Sequence, residues 1–181
     1  LVVGRLHPLK GFDLAIAAVA AIPESERPAL RIVGAPPPEG DGYVRGVHEA
    51  VLQHGVSSAT SFDGALRRSE LAERIRRAAI VLVPSHSETF GLVALEAAAS
   101  GVPVIARNTG GLREAVVDGV TGLLVTGDEA NDWARAITEL LEDTDRAGRM
   151  GADARRHALT RSWESSAERL LEVYREFLAS R

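Results

Sequence analysis

Cysteine is absent from this chain of 181 residues, so a thiol nucleophile, a disulfide framework and zinc–thiolate sites are excluded. Lysine is nearly absent. Of 21 basic residues, 20 are Arg, and the one Lys is Lys10. A GC-rich genome favours that skew, which marks Lys10 as a residue kept for its type. No run approaches membrane-spanning length, and no signal peptide is visible. The net charge of −4 carries no basic block, so nothing suggests nucleic acid. Internal repeats and low-complexity tails are also lacking. No G-x-G-x-x-G follows the first apolar run and no G-x-x-x-x-G-K-[ST] occurs, which disfavours NAD-type and P-loop chemistry. No Ser-His-Asp arrangement can be argued from spacing. His7 and His86 read as loop polar residues, because nothing nearby completes a metal set. These absences fit a cytoplasmic protein. Leu1 opens directly in an apolar run without Met, as expected for part of a longer polypeptide cut at a domain boundary.

What is present is an alternation of short apolar runs with helix-length amphipathic segments, the pattern of a parallel sheet covered by helices. Strands are expected at Leu1–Val3, Leu30–Val33, Thr60–Phe62, Ile80–Val83, Val102–Ala106 and Gly122–Val125. Helices are expected over Gly11–Ala21, Tyr43–His54, from a Ser69 cap to Arg77, Phe90–Ser100, and from Gly111 to Val117. Three more close the chain, Glu129–Glu142, Asp145–Ala158 and Trp163–Ala179. The loop Ala35–Gly42 holds three prolines, which remove donors and fix φ. One α/β domain over 1–181 follows, a Rossmann-like, doubly wound parallel sheet of about six strands with helices on both faces.

In such sheets, ligands bind beyond the carboxyl ends of the strands. Gly4-Arg5, Gly34, Asp63-Gly64, Pro84–Glu88 and Arg107–Gly111 all fall there. The stretch PSHSETFGLVALEAAASGVPV from Pro84 to Val104 carries two carboxylates, Glu88 and Glu96, eight residues apart. Continuous helical rise would set them about 12 Å apart. That is too far for an acid and base flanking one glycosidic bond, which takes at most about 9.5 Å. It suits two contacts on one elongated ligand with the shape of a sugar nucleotide. The first turn of the helix offers unpaired N–H groups to phosphate, and Gly91 lets a ligand approach the backbone. Arg5 and Lys10 would supply the cationic compensation.

Plainer readings exist for several of these residues. Ser85 and Glu88 could form a capping box, and Glu96 could pair with an arginine across the core. Arg67-Arg68, Arg74, Arg76 and Arg77 read as a solvated helix face. The stripe Trp163, Ala167, Leu170, Leu171, Tyr174, Phe177 and Leu178 reads as packing. Arg5, Lys10 and Gly91 on the same edge as both glutamates favour the ligand.

The runs VGRLHPLKG, FDG and PSHSETFGLVALEAAASGVPVIA, with TGG and DGVTGLLV, resemble the retaining glycosyltransferases of the two-Rossmann-domain, B-type fold. Their E-x7-E motif is matched by Glu88 and Glu96. The resemblance covers the carboxy-terminal, donor-binding half of those enzymes. Within the family, RLHPLK and the Ser162-Trp163-Glu164 segment look similar to the mycothiol-pathway branch, which uses UDP-N-acetylglucosamine. The resemblance implies a hexose-type sugar moved from an NDP-sugar, UDP by preference, with retention and without a catalytic metal or cofactor. Arg5 and Lys10 would bind and stabilise the leaving diphosphate. Glu88 would bind the sugar hydroxyls, helped by backbone N–H groups of Phe90 and Gly91. Leu92 and Val93 would lie near phosphate and ribose, and Glu96 would hold the ribose. The base would meet the main chain near Leu66 and Arg67. The family's acceptor domain is expected outside these residues, so any peripheral membrane contact would come through it, and the helix over 162–181 would cross back to it. The fragment alone is expected to bind nucleotide and transfer little or no sugar. The competing readings are a non-catalytic nucleotide-binding or regulatory module, and a related B-type epimerase or phosphorylase.

Overall fold

The structure, a computed structural model, describes residues 1–36 and 42–179. Among these, six strands form one sheet: β1 (Val2–Val3), β2 (Leu30–Val33), β3 (Thr60–Gly64), β4 (Val81–Val83), β5 (Val104–Arg107) and β6 (Gly122–Val125). Their spatial order is β3-β2-β1-β4-β5-β6, and every neighbouring pair is parallel. The chain therefore winds outward in one direction, returns to the middle, and winds outward in the other. The crevice between β1 and β4, where the order reverses, is the natural ligand site of such a sheet.

The connections hold helices α1 (Phe12–Ala21), α2 (Gly42–Gln53), α3 (Arg68–Arg76), α4 (Leu92–Ala99) and α5 (Leu112–Ala115). Helices α6 (Ala130–Glu142), α7 (Thr144–Leu159) and α8 (Trp163–Ala179) follow the last strand. Strand side chains alternate between two cores, as a period of two demands. Leu82 and Ile105 join Phe12, Ile16, Val19, Trp133 and Ile137 on one face. Val81, Val83, Val104 and Ala106 join Ile75, Ala94, Ala97 and Leu112 on the other. With both faces covered, the central strands read as continuous apolar runs.

Four local expectations change. Strand β5 starts at Val104 because Pro103 has no N–H for the ladder. Helix α3 starts earlier than a Ser69 cap allows, since the Arg67 N–H donates to the Glu70 carboxylate at 2.9 Å. Helix α4 begins at Leu92 rather than Phe90, because Gly91 takes a left-handed φ of 80°. Arg74 is not solvated with its neighbours, because it meets Asp63 at 2.9 Å, opposite Arg31 at 3.0 Å. Residues 37–41 of the expected Ala35–Gly42 loop lie outside the described residues.

The largest departure is α8. Its apolar stripe is real, yet no residue of the helix is buried. Trp163 is 82% exposed, and Leu170, Leu171, Tyr174 and Leu178 are all more than half exposed. Packing onto its own domain is therefore not the role of this face. No described helix is long and apolar enough to cross a membrane.

Candidate functional site

All the loops expected at the ligand edge do leave the carboxyl ends of parallel strands. After β1 the chain makes one tight turn, Pro8–Lys10, in which His7 accepts a hydrogen bond from the Leu9 N–H at 3.2 Å. Lys10 at its end points across the switch point, and its Nζ donates to Glu88 Oε2 at 2.7 Å. The two residues are 78 apart in sequence and both are mostly shielded, at 29% and 16% side-chain exposure. Shielding on this scale strengthens the pair relative to an ordinary surface ion pair. Arg5 lies exposed on the same loop, with no ion pair among the described residues.

The backbone around Glu88 is held from two sides. The His86 N–H donates to the Leu9 carbonyl at 2.8 Å, and the Gly111 N–H donates to the Glu88 carbonyl at 2.8 Å. Gly110, at φ 46°, and Gly111 lie so close that a Cβ on either would overlap the carbonyl oxygen of Glu88 or Thr89. The TGG turn after β5 is thus a backbone buttress for the Glu88 loop. No capping box between Ser85 and Glu88 forms; Ser85 is buried, and Glu88 turns to Lys10.

Helix α4 presents an open N-terminus. No side chain caps it, and its first backbone bond runs from the Leu95 N–H to the Gly91 carbonyl. The Leu92, Val93 and Ala94 N–H groups precede that bond and face the edge of the sheet, where the helix dipole favours an anion. A Cβ at Gly91 would press on Ala115 and Leu112, so the backbone comes close to α5 here. Phe90 and Leu92 stand out at 54% and 55% exposure. Val93 is half-buried.

Glu96 does not follow its plainer reading. It is half-buried, and its carboxylate has no ion pair or hydrogen bond among the described residues. The pairing with an arginine across the core does not occur. Only the steps from Leu92 to Glu96 follow helical rise, so the spacing of the glutamates is not that of one continuous helix. Leu66 and Arg67 follow β3, two strands from the crevice. Leu66 is half-buried, and Arg67 is exposed and paired with Glu70 at 2.6 Å. That carboxylate is lowered below its ordinary pKa, first by the Arg67 side chain.

Sequence reasoning placed Arg107 at the ligand edge without a role and missed Asp128. Arg107 ends a strand of Val, Ile and Ala, and a charge closing such a run is the signal that could have exposed it. Among the described residues no three His, Cys, Asp or Glu side chains gather as a metal set would. A cavity of about 390 Å³ beside Leu1, Pro28, Leu30 and Ile80 lies at the amino-terminal ends of the strands and touches none of these site residues.

Residues 1–157 match the family described as glycosyl transferases group 1. The chain is 43% identical, over 98% of its length, to a D-inositol 3-phosphate glycosyltransferase of Thermobispora bispora. It spans 43% of that relative's length. Sucrose-phosphate synthase from Thermosynechococcus elongatus superposes with a TM-score of 0.88 at 35% identity, over 99% of this chain and 46% of that one. The Anabaena HepE protein, solved in complex with UDP and glucose, superposes with a TM-score of 0.84 at 28% identity, over 99% of this chain and 48% of that one. With its switch-point crevice, open helix start and E-x7-E pair, the chain belongs to the glycosyl transferases group 1 family.

Proposed function

We propose that the chain is the donor-binding half of a retaining, metal-independent glycosyltransferase that takes a hexose-type sugar from UDP. The Lys10–Glu88 ion pair across the switch point, beside the uncapped start of α4, is the observation that carries this reading. The UDP and glucose found with the Anabaena neighbour support the choice of donor.

On this reading the diphosphate lies at the first turn of α4, against the N–H groups of Leu92 and Val93. Arg5 and Lys10 are its cations. They neutralise the charge that grows on the departing diphosphate as the anomeric carbon–oxygen bond breaks, which takes the place of a metal ion. The departing phosphate oxygen accepts the acceptor's proton on the face where the new bond forms, so configuration is retained. Glu88, already fixed by Lys10, accepts hydrogen bonds from sugar hydroxyls, with the N–H groups of Phe90 and Gly91 alongside. Glu96, one turn into α4 and unpaired among the described residues, accepts from the ribose hydroxyls. The base meets the main chain near Leu66 and Arg67. The open apolar face of α8 suits a second domain carrying the acceptor, and the chain alone binds nucleotide without rapid transfer.

The test is thermal unfolding with UDP, GDP and ADP. A ligand that binds only the folded state stabilises it by mass action, by about 2.7 kcal/mol at a hundred times its dissociation constant, and so raises the melting temperature. A shift with UDP exceeding that with the others supports the reading. No shift with any of them would favour a regulatory module.

A further inference from the structure

Arg107 holds a place that an apolar residue would fill more cheaply. It ends β5 after Val104, Ile105 and Ala106, and it is 8% exposed. Removing a guanidinium from water costs stability unless its donors are met, and here they are only partly met. Its Nε donates to the Pro84 carbonyl at 3.2 Å, and its Nη1 pairs with Asp128 Oδ1. Its Nη2 is buried with no hydrogen-bond partner among the described residues. The partners it does have belong to two different loops. Pro84 opens the loop that carries Glu88. Asp128, 65% exposed at its side chain, lies beyond β6 and also faces His86 Nδ1 at 3.8 Å.

One side chain therefore ties together the loops after β4, β5 and β6. The loop after β1 joins them through the His86 N–H bond to Leu9. From this arrangement we infer that Arg107, held by Asp128, is a positioning residue for Glu88. It fixes the root of the Pro84–Glu88 loop against the β6–α6 turn, so that the Glu88 carboxylate stands where the sugar end of the donor is met. It touches neither the substrate nor Glu88, and it acts through the Pro84 carbonyl. Glu96 sits on α4, beyond the reach of this strap, so the nucleotide end does not depend on it. The inference rests on the donor-binding reading above.

A general loss of structure would weaken binding of the whole donor, whereas misplacement of Glu88 would weaken only its sugar end. Arg107→Lys keeps the charge but cannot hold both partners, and Asp128→Asn alters an exposed residue and keeps the fold. The chain and both variants are titrated with UDP, with UDP-glucose and with UDP-N-acetylglucosamine, and their melting temperatures are recorded. The better of the two sugar nucleotides for the unsubstituted chain is the one compared. In Arg107→Lys its dissociation constant rises about tenfold relative to that of UDP, while UDP affinity stays within about threefold. Asp128→Asn moves the same ratio about threefold. Equal weakening of UDP and the sugar nucleotide, or an unchanged ratio in both folded variants, overturns the positioning role and leaves donor binding intact. Failure of the unsubstituted chain to bind any of the three overturns the donor reading, and the inference falls with it.

Discussion

Glu88 and Glu96 belong to one motif but are held in opposite ways. Glu88 is fixed: Lys10 holds its carboxylate at 2.7 Å, and the Gly111 N–H and the close approach of Gly110 hold its backbone. Glu96 rides on the regular helix α4 with its carboxylate unpaired among the described residues. A paired carboxylate is already oriented, so it can accept hydrogen bonds from neutral hydroxyls with little rearrangement. An unpaired, half-exposed one has open lone pairs and waits for donors. On the donor-binding reading, the two carboxylates serve two ends of one ligand, one oriented in advance and one open to its donors.

The contrast can be broken at several points. Lys10→Ala removes the partner of Glu88 and, on the donor-binding reading, a cation from the leaving group. In a longer protein joining this chain to an acceptor domain, initial transfer rates should fall by about 10²–10³-fold. A fall of less than tenfold would mean that Arg5 and the helix start suffice. Glu96→Ala should raise the dissociation constant for UDP by about 10–100-fold, the value of one or two charge-assisted hydrogen bonds. The variant should also lose the preference for UDP over 2′-deoxy-UDP, as read by calorimetry. Gly111→Ala forces a methyl group into the Thr89 carbonyl and should lower unfolding free energy by about 1–3 kcal/mol in urea titrations. The smallest effect is expected from deleting 163–181, because nothing in α8 is buried. Its removal should leave unfolding free energy within about 0.5 kcal/mol and UDP affinity unchanged, whereas a large loss would place the stripe on this domain.

The sheet was legible because its signals are local. Val81-Leu82-Val83 and Val104-Ile105-Ala106 are short apolar runs ended by Pro or polar residues, and the periodicity around them changes from two to the helical repeat. Lys10 was legible through its rarity. Contacts between distant positions were not. That Lys10 reaches Glu88, and that Gly110 and Gly111 brace the same loop, depends on strand order, which places β1, β4 and β5 side by side. Arg107 resembles its neighbours among twenty arginines, and only folding shows it turned inward toward Pro84. The helix start was misplaced by two residues because Gly91 looks the same whether it permits close approach or breaks the helix with a left-handed turn.

The most direct test titrates UMP, UDP and a UDP-sugar against the chain, Glu88→Gln and Glu96→Gln. If the two glutamates grip opposite ends of one donor, Glu96→Gln weakens all three ligands by a similar factor, and Glu88→Gln weakens only the UDP-sugar. Equal weakening of UMP by both substitutions would contradict that account.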